Sequence, residues 1–94
     1  MKKVLVTGGT AFVSRYIAEY YVGKGYDVSV LNRNTKKQSD GVRLIEADRY
    51  HLGDRLRDLH FDVVIDTGYT AKEVELLLDA LGSYENYVFI SSSA

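Results

Sequence analysis

The chain has 94 residues, of which 46% are hydrophobic and 27% are charged, a composition typical of one folded globular domain rather than a disordered segment. The 12 Lys and Arg residues are balanced by 13 Asp and Glu residues, and no stretch is strongly basic, so we expect no nucleic-acid partner. The absence of cysteine excludes disulfides and thiolate metal sites. The apolar runs are too short for a membrane span or a signal peptide, which favours a cytoplasmic protein.

The chain begins with a predicted strand over residues 3–7, whose apolar residues do not alternate with polar ones, as expected for a central strand buried on both faces. A glycine turn follows, and a helix is predicted from about Ala11 to Val22, ending at Gly23-Lys24-Gly25. The apolar positions of this helix form one broad stripe that is predicted to face the core. They are Phe12, Val13, Tyr16, Ile17, Tyr20 and Tyr21.

The rest of the chain alternates between further strands and helical segments. Thr70 and Glu73 have the spacing of a capping box, which predicts the start of a helix that Gly82 ends. The predicted strands are residues 27–31, 42–46, 62–66 and 87–90. The other predicted segments are a polar loop over 32–41, a short helix near 53–59 and the capped helix over 71–81.

This alternation predicts an α/β fold with a doubly wound parallel sheet of about five strands in the order 3-2-1-4-5. The carboxyl ends of parallel strands meet at one edge of such a sheet. We therefore expect the functional site at that edge, in the segments that follow the strands. These segments are residues 7–14, 31–37, 47–50, 66–70 and 91–94.

The turn after the first strand is the strongest candidate for ligand binding. A glycine turn between a strand and a helix directs main-chain N–H groups and a positive helix end at one point, which suits a pyrophosphate. Of the usual glycine pattern, the chain keeps Gly8 and Gly9 but has Ala11 and Ser14 at the second and third required positions. The alternative is a tight turn that binds no ligand. The predicted pyrophosphate-binding residues are Thr7, Gly8, Gly9, Thr10, Ala11, Phe12 and Val13.

Four segments together resemble a known family over nearly the whole chain. They are Val4-Leu5-Val6-Thr7-Gly8-Gly9-Thr10, Ala47-Asp48, Phe61-Asp62-Val63-Val64-Ile65-Asp66 and Tyr87-Val88-Phe89-Ile90-Ser91-Ser92-Ser93-Ala94. In these residues the chain resembles the N-terminal half of an extended short-chain dehydrogenase/reductase of the NAD(P)-dependent epimerase/dehydratase family. The resemblance implies that residues 1–94 form a single truncated NAD(P)-binding Rossmann domain without the substrate domain.

The end of the second strand bears on the choice of cofactor. An acidic residue there binds the ribose hydroxyls of NAD, whereas an arginine accommodates the 2′-phosphate of NADP. The chain has Asn32 and Arg33 at this point, followed by Lys36 and Lys37. We therefore expect NADP to be preferred to NAD, with Asn32 and Arg33 in the site. The alternative is that these basic residues form only a solvated loop.

The resemblance also assigns roles to residues after the third, fourth and fifth strands. It implies that Asp48 contacts the adenine amino group, although an aspartate at a strand end also commonly caps a turn. It implies that Thr67, Gly68 and Tyr69 lie along the cofactor ribose, and that Ser93 hydrogen-bonds a substrate oxygen.

The family's chemistry further needs a Tyr-x-x-x-Lys pair on the helix after the fifth strand, because the tyrosine carries the proton. The Tyr-x-x-x-Lys spacing occurs in this chain at Tyr20 and Lys24, on the first helix, which is the wrong place for catalysis. We therefore expect the chain to bind cofactor without completing a catalytic site. The alternatives are a non-catalytic nucleotide-binding module and a self-associating module. We also expect the chain to form a homo-oligomer through an open edge strand or an uncovered sheet face. His51 and His60 are too far apart in sequence to predict a metal site.

Overall fold

A computed structural model describes residues 1–10, 12–68 and 70–90. They form a parallel sheet of five strands in the order β3-β2-β1-β4-β5, which confirms the predicted fold class and strand order. The strands are β1 (Lys3–Thr7), β2 (Asp27–Asn32), β3 (Arg43–Glu46), β4 (His60–Asp66) and β5 (Ser83–Phe89), and the helices are α1 (Phe12–Gly23) and α2 (Ala71–Ala80). None of the helices in this part of the chain is long and apolar enough to cross a membrane.

The central strand β1 is buried because helices or loops cover both faces of the sheet. Val4, Leu5 and Val6 have no exposed surface, and β1 pairs with β2 on one side and β4 on the other. Successive side chains of a strand point to opposite faces, so Leu5 joins the core on the α2 side while Val4 and Val6 join the core on the α1 side. The uninterrupted apolar run of β1 therefore follows from its central position.

Helix α1 contacts the sheet with only part of the predicted apolar stripe. From the stripe, Ile17 and Tyr21 pack against the core on the α1 side of the sheet. Ala18 and Val22 pack there as well. In contrast, the prediction that the whole stripe is buried is wrong, because the helix has 3.6 residues per turn and its other apolar arc points away from the sheet. The exposed members of the stripe are Phe12, Val13, Tyr16 and Tyr20.

Two predicted elements differ most from those observed. Residues 53–58 form consecutive turns rather than a helix, although Leu52 and Leu56 are buried in the core as a helix would bury them. Strand β5 begins at Ser83 instead of Tyr87, since its exposed first residues pair with β4 from His60 onward and carry little of the apolar pattern by which a strand is predicted.

Helix α2 begins at the predicted cap. The Thr70 side chain accepts a hydrogen bond from the Glu73 N–H, and the Glu73 side chain accepts one from the Thr70 N–H. The helix also ends where Gly82 predicts it to end, but for a different reason. Gly82 has no positive φ, and a Cβ there would overlap the main-chain carbonyl oxygen of Arg57, so close packing rather than backbone conformation requires the glycine.

Candidate functional site

A cavity of about 640 Å³ lies at the carboxyl edge of the sheet. This volume is within the range of about 300–1,000 Å³ that is typical of small-molecule sites. The cavity combines the glycine turn with segments that follow β2, β3 and β4, so the structure brings most of the predicted site residues together. Its lining residues are Thr7, Gly8, Thr10, Phe12, Val13, Ser14, Leu31, Asn32, Arg33, Thr35, Ala47, Asp48, Arg49, Tyr50, Thr67, Gly68, Glu73 and Ile90.

The glycine turn takes a conformation that favours glycine at two successive positions. Gly8 and Gly9 have φ values of 89° and 86°, in the region that side chains disfavour. A Cβ on Gly9 would also lie 2.6 Å from Cγ1 of Val30. The turn is held to the sheet by a 2.7 Å hydrogen bond from the Gly8 N–H to the Leu31 carbonyl oxygen, so its path past the cavity is fixed by β2.

Ser14 accepts a hydrogen bond from one of the N–H donors of the glycine turn. Its hydroxyl accepts a 2.9 Å hydrogen bond from the Gly9 N–H, which therefore points to the start of α1 instead of into the cavity. The N–H groups of the first turn of a helix have no partners within that helix, and α1 begins at Phe12 beside the cavity. The start of α1 thus presents main-chain N–H groups beside the cavity.

Phe12 has an unusual conformation at this helix start. Its φ is 45°, a left-handed value that costs a non-glycine residue about 1–2 kcal/mol, and its side chain is 94% exposed. The aromatic ring lines the cavity with almost all of its surface exposed, so packing among the described residues does not offset the cost of this backbone conformation.

Asn32 has a structural role in addition to lining the cavity. Its side-chain N–H groups donate to the Gly8 carbonyl oxygen at 2.6 Å and to the Gln38 side chain at 3.0 Å. Its side-chain oxygen accepts from the Asn34 N–H. These bonds tie the glycine turn to the loop after β2, next to the exposed, cavity-lining Arg33.

Asp48 both lines the cavity and caps a turn, so the two interpretations of this residue are compatible. Its carboxylate accepts a 2.8 Å hydrogen bond from the Tyr50 N–H, and its carbonyl oxygen accepts one from the His51 N–H. The Asp48 side chain keeps 42% of its surface exposed. That exposure leaves oxygen surface available to a ligand in the cavity.

Thr67 connects the end of β4 to Thr7, and Gly68 packs against Arg49 beside it. The Thr67 N–H donates to the Thr7 hydroxyl at 2.9 Å, and the Thr67 hydroxyl donates to the Thr7 carbonyl oxygen at 2.8 Å. Gly68 is buried, and a Cβ there would lie 3.1 Å from Nη2 of Arg49. These residues therefore form a closely packed floor for the cavity.

Asp66, at the end of β4, is the centre of a set of hydrogen bonds that we call the Asp66 network, formed with Thr7, Arg49, Gly68 and Tyr87. Asp66 is fully buried. Oδ1 accepts from Arg49 Nη1 at 2.7 Å, the Gly68 N–H at 2.9 Å and the Thr7 hydroxyl at 3.0 Å. Oδ2 accepts from the Tyr87 hydroxyl at 2.6 Å and Arg49 Nη2 at 3.2 Å.

The Asp66 network shifts the pKa values of two of its members. Burial alone would raise the pKa of the Asp66 carboxyl, but the hydrogen bonds from Arg49 and Tyr87 outweigh it and hold that pKa below its ordinary value. Burial and the hydrogen bond to the Asp66 carboxylate raise the pKa of Tyr87. The carboxylate is therefore ionised and the phenol neutral at neutral pH.

Sequence reasoning missed Arg49 and Asp66 as members of the site. A signal was present, because an aspartate at the end of an apolar central strand is predicted to be buried, and buried charges in proteins are paired. Arg49 follows β3 at the same edge and is a suitable partner. The pattern of either residue alone does not specify that partner.

Three predicted site residues, Ala11, Tyr69 and Ser93, lie outside the described residues. Within residues 1–10, 12–68 and 70–90, no group of three or more His, Asp or Glu side chains is arranged to hold a metal ion.

Comparisons with known proteins agree with the observed fold. The sequence model of the NAD dependent epimerase/dehydratase family matches residues 4–94. A curated relative, the chloroplast stem-loop binding protein of 41 kDa b from Arabidopsis thaliana, is 34% identical over 115 aligned positions. The alignment covers 98% of this chain and 29% of that relative, so the chain spans less than a third of the relative's length.

Proposed function

Because this chain belongs to the NAD-dependent epimerase/dehydratase family, we propose that the cavity at the carboxyl edge of its sheet binds a dinucleotide, with NADP preferred to NAD. One observation carries the proposal: a single cavity extends from the glycine turn to both Arg33 and Asp48. The start of α1 presents main-chain N–H groups to the pyrophosphate, while Asp48 is available to the adenine. Thr67 and Gly68 would lie along the ribose.

The preference for NADP depends on Arg33. Its side chain is exposed at the end of β2 and lines the cavity, and a guanidinium binds phosphate through paired hydrogen bonds. The neighbouring Asn32 side chain is engaged with Gly8, Gln38 and Asn34. Arg33 is therefore the residue at this position that distinguishes a 2′-phosphate from a 2′-hydroxyl.

Calorimetric titration of the chain with NADP, NAD and ADP-ribose tests both parts of the proposal. Arg33→Ala should weaken NADP binding about tenfold, the effect of one lost charge-assisted contact, and leave NAD binding unchanged. Arg57→Ala is the matched control, since Arg57 is an exposed arginine paired with Asp54 and does not line the cavity. Flat titrations for all three compounds would refute dinucleotide binding, and equal losses for NADP and NAD would refute only the preference.

We further propose that residues 1–94 bind the cofactor without carrying out hydride transfer on a substrate. The Tyr20 and Lys24 pair does not line the cavity. Lys24 Nζ instead lies 5.4 Å from the Tyr20 ring centroid on α1. An assay of NADPH oxidation with a panel of nucleotide sugars should therefore give no rate, and measurable turnover would contradict this proposal.

The name of the curated relative suggests a second candidate function, binding to nucleic-acid stem-loops. The balance of 12 basic and 13 acidic residues favours the dinucleotide instead, because nucleic-acid affinity is dominated by basic residues that contact phosphates. Fluorescence anisotropy with a labelled RNA hairpin distinguishes the two. Binding of the hairpin that weakens with salt and that NADP does not displace would favour the second candidate.

The relative is named as chloroplastic, whereas the cytoplasmic location of this chain remains our prediction. Imaging of the tagged protein in its own cells would test it.

A further inference from the structure

Arg49 joins three segments that surround the cavity: the loop after β3, the end of β4 and the start of α2. It lies just after β3, and its guanidinium reaches both oxygens of Asp66 at the end of β4. Nη2 also donates to the Glu73 carbonyl oxygen in the first turn of α2 at 2.6 Å. One side chain therefore fixes the loop after β3 relative to both β4 and α2.

The loop that Arg49 fixes supplies a wall of the cavity. Asp48 and Tyr50, the neighbours of Arg49 in sequence, both line it. The Ala47 N–H donates to the Asn32 carbonyl oxygen at 3.0 Å, which anchors the start of the loop to β2. The Tyr50 N–H is bonded within the loop to Asp48. Arg49 thus supplies the hydrogen bonds by which residues 47–50 are tied across the cavity to β4 and α2.

The geometry requires an arginine at this position. Two parallel contacts to a carboxylate plus one to a carbonyl need the planar fork of a guanidinium, which a lysine ammonium cannot reproduce. The guanidinium also packs closely against Gly68, where a Cβ would lie 3.3 Å from Cζ of Arg49. Its buried Nε has no hydrogen-bond partner among the described residues. The side chain therefore gives up one donor to keep this orientation.

We propose that Arg49 is a positioning residue that, through Asp66 and Glu73, holds residues 47–50 as the wall of the adenosine half of the site. The proposal rests on the dinucleotide binding proposed above, because it assigns the Asp48 side of the cavity to the adenosine. Arg49 acts on the ligand by placing Asp48, and its own charge is already paired with Asp66. Loosening this contact should weaken the adenosine half and leave the nicotinamide half unchanged.

Arg49→Lys tests the proposal in two independent measurements. In the ligand-free chain, hydrogen exchange at the Tyr50 and His51 amides should become faster, since both are bonded to Asp48. In titrations, affinity for 2′,5′-ADP should fall about tenfold, whereas affinity for nicotinamide mononucleotide should not change. The exchange measurement needs no ligand, so it reports on the loop even if the chain binds no dinucleotide.

Val28→Ala is the control for a general loss of stability, because Val28 is a buried core residue of β2 that does not line the cavity. Val28→Ala should leave the affinity for 2′,5′-ADP unchanged. Hydrogen exchange at the Tyr50 and His51 amides should rise no more in this variant than exchange elsewhere in the chain. Unchanged exchange in Arg49→Lys, or equal losses for both half-ligands, would overturn the positioning role. If the unmodified chain binds neither half-ligand, the proposed function fails, and faster exchange would then support only the structural part of the inference.

Discussion

At the scale of single residues, the glycine turn depends on the absence of a side chain at Gly9. Two separate terms oppose an alanine there: the positive φ of 86° and the 2.6 Å approach of a Cβ to Val30. Gly25 allows the backbone effect to be measured alone. Its φ is 84°, but nothing lies within 4 Å of a Cβ at that position. The two glycines therefore form a matched pair.

Gly25→Ala should reduce the free energy of unfolding by about 1–2 kcal/mol, the cost of a left-handed side-chain-bearing residue. Gly9→Ala should lose about 1–3 kcal/mol more, because the methyl group overpacks the contact with Val30. Urea denaturation monitored by circular dichroism measures both. Equal losses in the two variants would show that Val30 moves aside without cost.

Asp66 illustrates how a buried charge at the site contributes to stability. Its pKa in the folded chain lies below the ordinary value of about 3.9, because hydrogen bonds from Arg49 and Tyr87 outweigh burial. A carboxyl with a lowered pKa stabilises the fold at pH values above its unfolded pKa. That contribution is lost as the pH falls through the folded-state pKa.

We expect Asp66→Asn to reduce stability at pH 7 by about 3 kcal/mol, since it leaves the largely buried Arg49 without its counter-charge. Below about pH 4 the difference from the unmodified chain should shrink. Tyr87→Phe removes one hydrogen bond to the same carboxylate, should cost about 1.5–3 kcal/mol, and retains the ion pair and most of the acid dependence. Urea titrations from pH 7 to pH 3 measure these differences, and a loss in Asp66→Asn that is independent of pH would contradict the assignment.

At the scale of elements, α2 is fixed by its amino-terminal cap. The reciprocal bonds between Thr70 and Glu73 satisfy donors that a helix otherwise leaves unpaired. Helix α2 also provides the Glu73 carbonyl oxygen that Arg49 contacts. The start of this helix therefore belongs to both the fold and the cavity wall.

Thr70→Ala should lower the free energy of unfolding by about 1 kcal/mol, because the Glu73 N–H loses its acceptor. Thr70→Ser keeps the hydroxyl and should retain most of the stability. Thermal denaturation of the two variants provides the comparison. If Thr70→Ser were as destabilised as Thr70→Ala, contacts of the threonine methyl group rather than the cap would explain the loss.

At the scale of the whole molecule, the sheet has an open edge at β5 among the described strands. This strand carries Tyr84, Val88 and Phe89, which are 39%, 45% and 45% exposed. Unpaired strand edges and exposed apolar surface favour association with another chain. These features support the predicted homo-oligomer, and we propose that copies of this chain associate through β5 or the adjoining sheet face.

Val88→Lys should shift the chain towards monomer, because a charge on β5 opposes pairing of two such edges. Glu75→Gln is the control, since it changes the net charge by the same one unit at an exposed position on α2. Sedimentation velocity over a range of concentrations measures the outcome. A clean monomer for the unmodified chain at high concentration would refute self-association.

The sequence by itself determined the features that depend on neighbours along the chain. The buried run of β1, the glycine turn, the Thr70 cap and the alternation of strands and helices are local patterns. The known handedness of strand crossovers converts them into the order 3-2-1-4-5. The edge that holds the cavity followed from this order, and so did the placement of Arg33 and Asp48.

Only the tertiary structure decided which distant residues meet. Arg49 and Tyr87 lie 17 and 21 positions from Asp66, and each local pattern is compatible with several partners. The arc of α1 that contacts the sheet and the close approach that requires Gly82 likewise depend on how packed elements are placed relative to one another. The physical reason is that the spacing of apolar residues indicates the type of each element, whereas packing in three dimensions selects the contacts that its side chains make.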